Sequence, residues 1–124
     1  MTRTILVVED TDVCRDALEV ALTKLPKFGV RSVCTAERAL ECLATDEVCA
    51  LVTDLHLAQM DGFELIAFVR SHPRLFALPI LVISGDNDPG TLTRLAGSGA
   101  NAYFTKPYSP AAVCRQLEQL IDAH

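Results

Sequence analysis

Four short apolar runs alternate along the chain with longer segments of helical period: Ile5–Leu6–Val7–Val8, Ala50–Leu51–Val52–Thr53, Ile80–Leu81–Val82–Ile83 and Ala102–Tyr103–Phe104–Thr105. This is the pattern of strands separated by helices, and strands joined in that way pair in parallel. Each run ends in a polar group: Glu9–Asp10, Asp54, Ser84 and Lys106–Pro107. Parallel strands bring their carboxyl ends to one sheet edge, where ligands of such sheets collect. Three carboxylates, a hydroxyl and an ammonium are therefore predicted to share one cleft.

The segments between the runs carry helix signals. Val13, Ala17, Leu18, Ala21, Leu22 and Leu25 form a stripe that ends at Pro26, and a further strand is expected near Val30–Val33. Thr35 is placed to cap a helix that buries Ala36, Ala39, Leu40 and Leu43. Asp61 with Glu64 is close to a capping box, opening a helix that buries Leu65, Ile66 and Val69 and stops before Pro73. Asp88–Pro89 and Ser109–Pro110 each read as an N-cap followed by proline at the first helical position. The first of these helices has a short stripe, Leu92, Leu95 and Ala96, ended by Gly97 or Gly99. The second runs through Val113, Leu117, Leu120 and Ile121. Asp12 is expected as a cap, and Arg94 and Arg115 as outer-face charges. His72 and His124 are expected to face solvent near helix ends.

A length of 124 residues suits one domain, and no unbroken apolar stretch approaches the ~20 residues of a membrane span. Met1-Thr2-Arg3 leads directly into a strand-like run, with no room for a signal peptide, so a cytoplasmic protein is expected. Eleven basic against sixteen acidic residues, without a basic run, argue against direct nucleic-acid binding. The five cysteines form no C-x-x-C pair and are expected to be reduced and inert.

The predicted cleft has a definite chemistry. Mg²⁺ takes near-octahedral oxygen ligands and keeps several waters, so few carboxylates suffice. Asp10 and Asp54 are candidates to ligate directly, the backbone carbonyl just after Asp54 to add a third oxygen, and Glu9 to hold a bound water. Phosphoryl transfer needs positive charge around the moving oxygens. Lys106 and the metal supply it, Ser84 offers a hydrogen bond, and Asp54 is the candidate nucleophile.

In order and spacing, Val7-Val8-Glu9-Asp10, Thr53-Asp54-Leu55, Met60-Asp61-Gly62, Ile83-Ser84-Gly85 and Tyr103-Phe104-Thr105-Lys106-Pro107 form one set. Through them the chain resembles, along its whole length, the receiver domain of two-component response regulators, of the chemotaxis-type single-domain kind. The resemblance implies a flavodoxin-like doubly wound α/β fold, with a five-stranded parallel sheet of order 2-1-3-4-5 and five helices on both faces. Residues 1–124 would form one receiver domain, with no output domain visible.

By the same resemblance, Asp54 accepts a phosphoryl group from a histidine kinase or a histidine phosphotransfer protein. Glu9, Asp10, Asp54 and the carbonyl of His56 would hold Mg²⁺, with Mn²⁺ as the alternative ion. Ser84 and Tyr103 match the family's switch pair, Lys106 binds phosphate, and the Lys106–Pro107 peptide is expected to be cis. A downstream protein would dock on the fourth helix, fifth strand and fifth helix of a monomer or a phosphorylation-dependent dimer. The protein would be no enzyme beyond catalysing its own phosphorylation and dephosphorylation.

The chain departs from the family pattern at Ala58–Gln59, where Pro-Gly is common, which predicts a looser loop after Asp54. Gly85 replaces a more usual alanine. His56 and Asp86 stand at positions that in this family influence how fast phosphate is lost. Two other readings remain at this point. One is an aspartate-nucleophile phosphohydrolase, which would want an acid where His56 stands and a cap domain over its substrate. The other is a receiver-like scaffold that works without phosphate.

Overall fold

Ile5, Leu6, Val7 and Val8 are fully buried because β1 (Arg3–Val8) runs through the middle of a parallel sheet. The computed structural model describes residues 3–123, so the expectations for Met1, Thr2 and His124 lie outside it. The other strands are β2 (Phe28–Val33), β3 (Val48–Thr53), β4 (Ile80–Ser84) and β5 (Ala102–Thr105). They lie in the order β2-β1-β3-β4-β5, and every pairing is parallel. The helices are α1 (Asp12–Leu22), α2 (Ala36–Thr45), α3 (Gly62–Ser71), α4 (Pro89–Ala96) and α5 (Pro110–Asp122). Among the described residues, no helix is long and apolar enough to cross a membrane.

Strand side chains alternate between two apolar layers, as a period of two requires. Leu6, Val8, Leu51, Ile80 and Val82 pack with α2, α3 and Leu95 of α4. Ile5, Val7, Ala50, Val52, Leu81 and Ile83 pack with α1 and α5. Burial on both sides explains why each strand reads as an unbroken apolar run.

The helix starts follow the sequence signals closely. Thr35 Oγ1 accepts the Arg38 amide at 3.1 Å, and Asp61 with Glu64 completes a capping box. Asp88 and Ser109 cap α4 and α5 through the amides of Gly90 and Ala112, at 2.8 and 3.2 Å.

Three expectations need correction. Helix α1 ends at Leu22, ahead of Pro26, and buries Leu18, Ala21 and Leu22, whereas Val13 is 77% exposed and Ala17 is also exposed. Asp12 is not the cap but the first helical residue. It pairs with Arg15, one turn on, where its charge also meets the positive end of the helix. In α4 only Leu95 is buried, and Leu92 and Ala96 face outward. A smaller difference concerns His72, which is half-buried and stacks on Phe68. All five cysteines are free; Cys42 and Cys114 are buried and Cys34 is exposed.

The loop after Asp54 is fixed in an unexpected way. Gln59 takes a left-handed conformation (φ 63°), which is unfavourable for a side chain with a Cβ. The Met60 amide donates to Glu37 Oε2 at 3.4 Å, tying the loop to α2. Replacing Gln59 by glycine removes the steric cost of that conformation. Gln59→Gly is therefore expected to raise stability by about 0.5–1 kcal/mol, read as a higher urea midpoint at unchanged slope.

Candidate functional site

The backbone ladder sets the positions of the polar strand ends. The Asp54 amide donates to the Val8 carbonyl at 3.1 Å, the Lys106 amide to the Ser84 carbonyl at 3.0 Å, and the Glu9 amide to the Val33 carbonyl at 3.1 Å. Each residue continues its strand by one step beyond the core, so its side chain emerges at the carboxyl edge. Glu9, Asp54 and Ser84 are nevertheless buried, with Glu9 only 1% exposed.

Lys106 Nζ lies 2.9 Å from Glu9 Oε2 and 2.9 Å from Asp54 Oδ2, bridging the two carboxylates. Asp54 Oδ1 accepts the amides of Leu55 at 2.6 Å and His56 at 3.2 Å. Burial alone would raise the Asp54 pKa, but Lys106 and these two amides outweigh it and hold the carboxyl below its ordinary value. Glu9 goes the other way, because burial outweighs its bond to Lys106 and the charge of Asp54 adds to the rise. For Lys106, burial is outweighed by the bonds to Glu9 and Asp54, and its pKa is held well above normal. The Lys106–Pro107 peptide is cis, as the resemblance to receiver domains implies.

Asp10 stands apart from this group. It is exposed, and its Oδ1 accepts the Thr11 hydroxyl at 3.4 Å. Among the described residues, no three acidic, imidazole or thiol side chains are clustered closely enough to chelate a cation. The structure thus brings together Glu9, Asp54 and Lys106 and leaves Asp10 at the rim.

The two switch candidates meet at the backbone of one residue, Asp86. Ser84 Oγ, fully buried, accepts the Asp86 amide at 3.2 Å, and the Tyr103 hydroxyl donates to the Asp86 carbonyl. The Asp86 side chain accepts from His56 Nε2 at 2.8 Å and from Thr91 Oγ1 at 3.0 Å. The amide of Asp88 and the imidazole of His56 hold Asp86 below the usual carboxylate range.

Sequence reasoning passed over the physical role of Gly62. A Cβ there would lie 2.2 Å from the Asp54 carbonyl oxygen and 2.8 Å from the Leu55 Cα. Both contacts are backbone, so nothing can rotate away. The signal was present in Asp61-Gly62-Phe63, but a glycine at the first position of a helix looks like a propensity defect until this close approach is seen. Beside Lys106, a mostly apolar groove of about 320 Å³ is lined by Val13, Cys14, Ala17, Pro107 and Tyr108.

Comparison with known proteins gives the family. The model of the response regulator receiver domain matches residues 5–118. The chain belongs to that family. It is the receiver domain of a two-component response regulator, and such domains interact with histidine kinases. It is 32% identical over 119 residues to the transcriptional regulatory protein GltR of Pseudomonas aeruginosa, covering 96% of this chain and 49% of GltR. The receiver thus spans about half the length of that relative. It is 31% identical to the two-component response regulator ORR3 of Oryza sativa, covering 94% of this chain and 89% of ORR3. A solved response regulator from Chloroflexus aurantiacus superposes with a TM-score of 0.91 at 30% identity, covering 98% and 99% of the two chains. The receiver domain of the sensor histidine kinase PA1611 from Pseudomonas aeruginosa, solved with magnesium in its active-site cleft, gives 0.88 at 24% identity, with 98% and 99% covered.

The bridge gives a prediction with a definite sign. Above its ordinary pKa the depressed Asp54 adds stability, which is lost as pH falls through the lower folded value. Glu9, with its raised pKa, opposes folding once ionised. Lys106→Met removes the cation from both, so both carboxyls are expected to titrate at higher pH. Without divalent metal, that variant should lose roughly 1–3 kcal/mol at pH 7. It should then regain stability as pH falls from 7 to about 5, where the parent changes little. Urea midpoints across that range test the sign.

Proposed function

We propose that this receiver accepts a phosphoryl group on Asp54 in a Mg²⁺-dependent reaction and relays it as a change of surface. The observation that carries the reading is the Lys106 bridge, in which one ammonium serves two buried carboxylates. That balance keeps Asp54 ionised and leaves the centre negative. With the exposed Asp10 at the rim, the donor set is all oxygen, which fits a hard divalent cation. Glu9, Asp10, Asp54 and the His56 carbonyl would hold it, with Mn²⁺ in its place where available. Bound there, the metal supplies positive charge to the phosphoryl oxygens.

A carboxylate oxygen of Asp54 attacks phosphorus, the O–P bond forms, and the N–P bond of the donor phosphohistidine breaks. Lys106 turns from the carboxylates to the new phosphoryl oxygens. Ser84 exchanges the Asp86 amide for a phosphoryl oxygen, and Tyr103, bonded to the carbonyl of the same residue, follows. The chain thus catalyses its own phosphorylation and dephosphorylation and no further turnover.

The donor, a histidine kinase or a histidine phosphotransfer protein, reaches Asp54 over the groove beside Val13 and Pro107. The downstream protein reads α4, β5 and α5, where Leu92, Leu95, Ala96 and Tyr103 border a hollow of about 270 Å³. Residues 1–124 act as one receiver unit in the cytoplasm, as a monomer or a phosphorylation-dependent dimer, without direct contact to nucleic acid or membrane. The hydrolase and scaffold readings gain nothing from a relative such as ORR3, a two-component response regulator.

Incubation with acetyl phosphate and Mg²⁺ is expected to add one phosphoryl mass to the parent chain, and none to Asp54→Asn or in excess chelator. An unmodified parent chain, or a modified Asp54→Asn, overturns the assignment. Ser84→Ala is expected to take up the phosphoryl group while the aromatic NMR shift of Tyr103 stays at its unphosphorylated position.

A further inference from the structure

Helix α4 is lightly anchored. Leu95 is its one buried side chain, whereas α5 buries Val113, Cys114, Leu117 and Ile121. Its placement therefore depends on contacts that are not core packing. The Arg94 guanidinium lies 3.9 Å from the centroid of the Phe63 ring on α3. Thr91 Oγ1, in the first turn, donates to Asp86 Oδ2 at 3.0 Å, and that same oxygen accepts from His56 Nε2 at 2.8 Å. Asp86 Oδ1 accepts the amide of Asp88, the residue that caps α4, at 2.9 Å. One carboxylate thus ties the helix to the loop that follows the phosphoacceptor. His56 is itself held to Asp54, through its amide on Oδ1 at 3.2 Å.

We infer that Asp86 is a positioning residue whose side chain links His56 to Thr91, giving Asp54 a second connection to α4 beside the one through Ser84 and Tyr103. The Ser84–Tyr103 connection uses the backbone of Asp86, and the second uses its carboxylate. A group bound on Asp54 displaces the His56 amide, and the imidazole moves with its backbone. Asp86 Oδ2 then shifts its bonding between His56 and Thr91, and the first turn of α4 is released or drawn in. This inference rests on the receiver reading for the identity of the group on Asp54. The coupling itself exists in the unmodified protein.

Amide hydrogen exchange over residues 92–96 of the full chain, without phosphodonor, reads that coupling. Thr91→Val is expected to speed exchange roughly fivefold, the size of one lost hydrogen bond, and His56→Ala by a similar factor. The double variant should exchange no faster than Thr91→Val alone, because both substitutions break the same chain of bonds. Arg94→Gln loosens the helix at a separate contact, so its effect should multiply with that of His56→Ala. Independent multiplication of the His56 and Thr91 effects, to about 25-fold, overturns the inference, as does exchange within twofold of the parent in either single variant.

Loaded with beryllofluoride and Mg²⁺, Thr91→Val should lose at least half of the parent's amide shifts over residues 92–96 while the Tyr103 ring still responds. Undiminished α4 shifts in that variant count against the second connection. The acetyl phosphate mass assay on the same preparations separates the two failures: an unmodified parent chain removes the receiver reading and leaves the exchange cycle readable.

Discussion

Two buried carboxylates facing one ammonium fix the character of this molecule. Lys106 sits 2.9 Å from both Glu9 and Asp54, and neither acid has bulk water to solvate it. Burial of charge is costly unless it is paired. The arrangement is therefore tolerable only if β1, β3 and β5 end in register, and the parallel ladder that continues to Asp54 and Lys106 enforces this. The same imbalance gives the site its chemistry. A centre with more negative than positive charge attracts a cation, and Asp54, held ionised, is ready to attack an electrophile. Packing of the sheet and reactivity of the cleft have one electrostatic origin.

Asp86 is the residue where this centre meets the rest of the surface. Its amide serves Ser84, its carbonyl serves Tyr103, and its carboxylate serves His56, Thr91 and the α4 cap. A helix with a deep apolar anchor would resist any pull from such polar contacts, since burying one leucine is worth about 2 kcal/mol. Helix α4 has a single buried leucine, and polar contacts of about 1 kcal/mol each compete with it on equal terms. On the inference drawn for Asp86, weak packing of α4 and the gathering of bonds on that residue belong together, the helix being held by bonds that the site can change.

Much of this was legible in the sequence because strand ends in a parallel sheet are determined by the strands themselves. The runs ending at Val8, Thr53, Ile83 and Thr105 placed Glu9, Asp54, Ser84 and Lys106 at one edge without any knowledge of side-chain positions. Caps at Thr35, Asp61, Asp88 and Ser109 were equally visible, since a cap is a local interaction between residues two or three apart. What escaped were the side-chain contacts between distant segments that the strand ends do not dictate. The His56–Asp86 bond spans thirty positions, and the Arg94–Phe63 stack joins two helices. Val13 fits the periodic stripe of α1, yet it is exposed, and the buried face of that helix begins only at Leu18. Gly62 is required by the carbonyl of Asp54 behind it, which only the folded chain brings there. Asp10 shows the converse limit, because adjacency to Glu9 in sequence does not bring its carboxylate into the bridge.

An aspartyl phosphate carries about −1.5 to −2 of charge in place of the single charge of Asp54, in a cleft whose one described ammonium serves Glu9 as well. Moving a two-state equilibrium from mostly off to mostly on takes roughly 5.5 kcal/mol of differential stabilisation. A few charge-assisted hydrogen bonds, from Lys106, Ser84 and backbone amides, reach that scale, each being about twice as strong as a neutral one. They act over a few ångströms only, so the distance to the docking surface must be covered by elements that cost little to displace. On the proposed reading the Ser84–Tyr103 pair covers part of it, and α4, with little core to leave behind, covers the rest. This chain spans 49% of GltR and 89% of ORR3. On the proposed reading, a readout confined to one lightly packed helix and its neighbouring strand asks nothing of the fold outside the receiver itself.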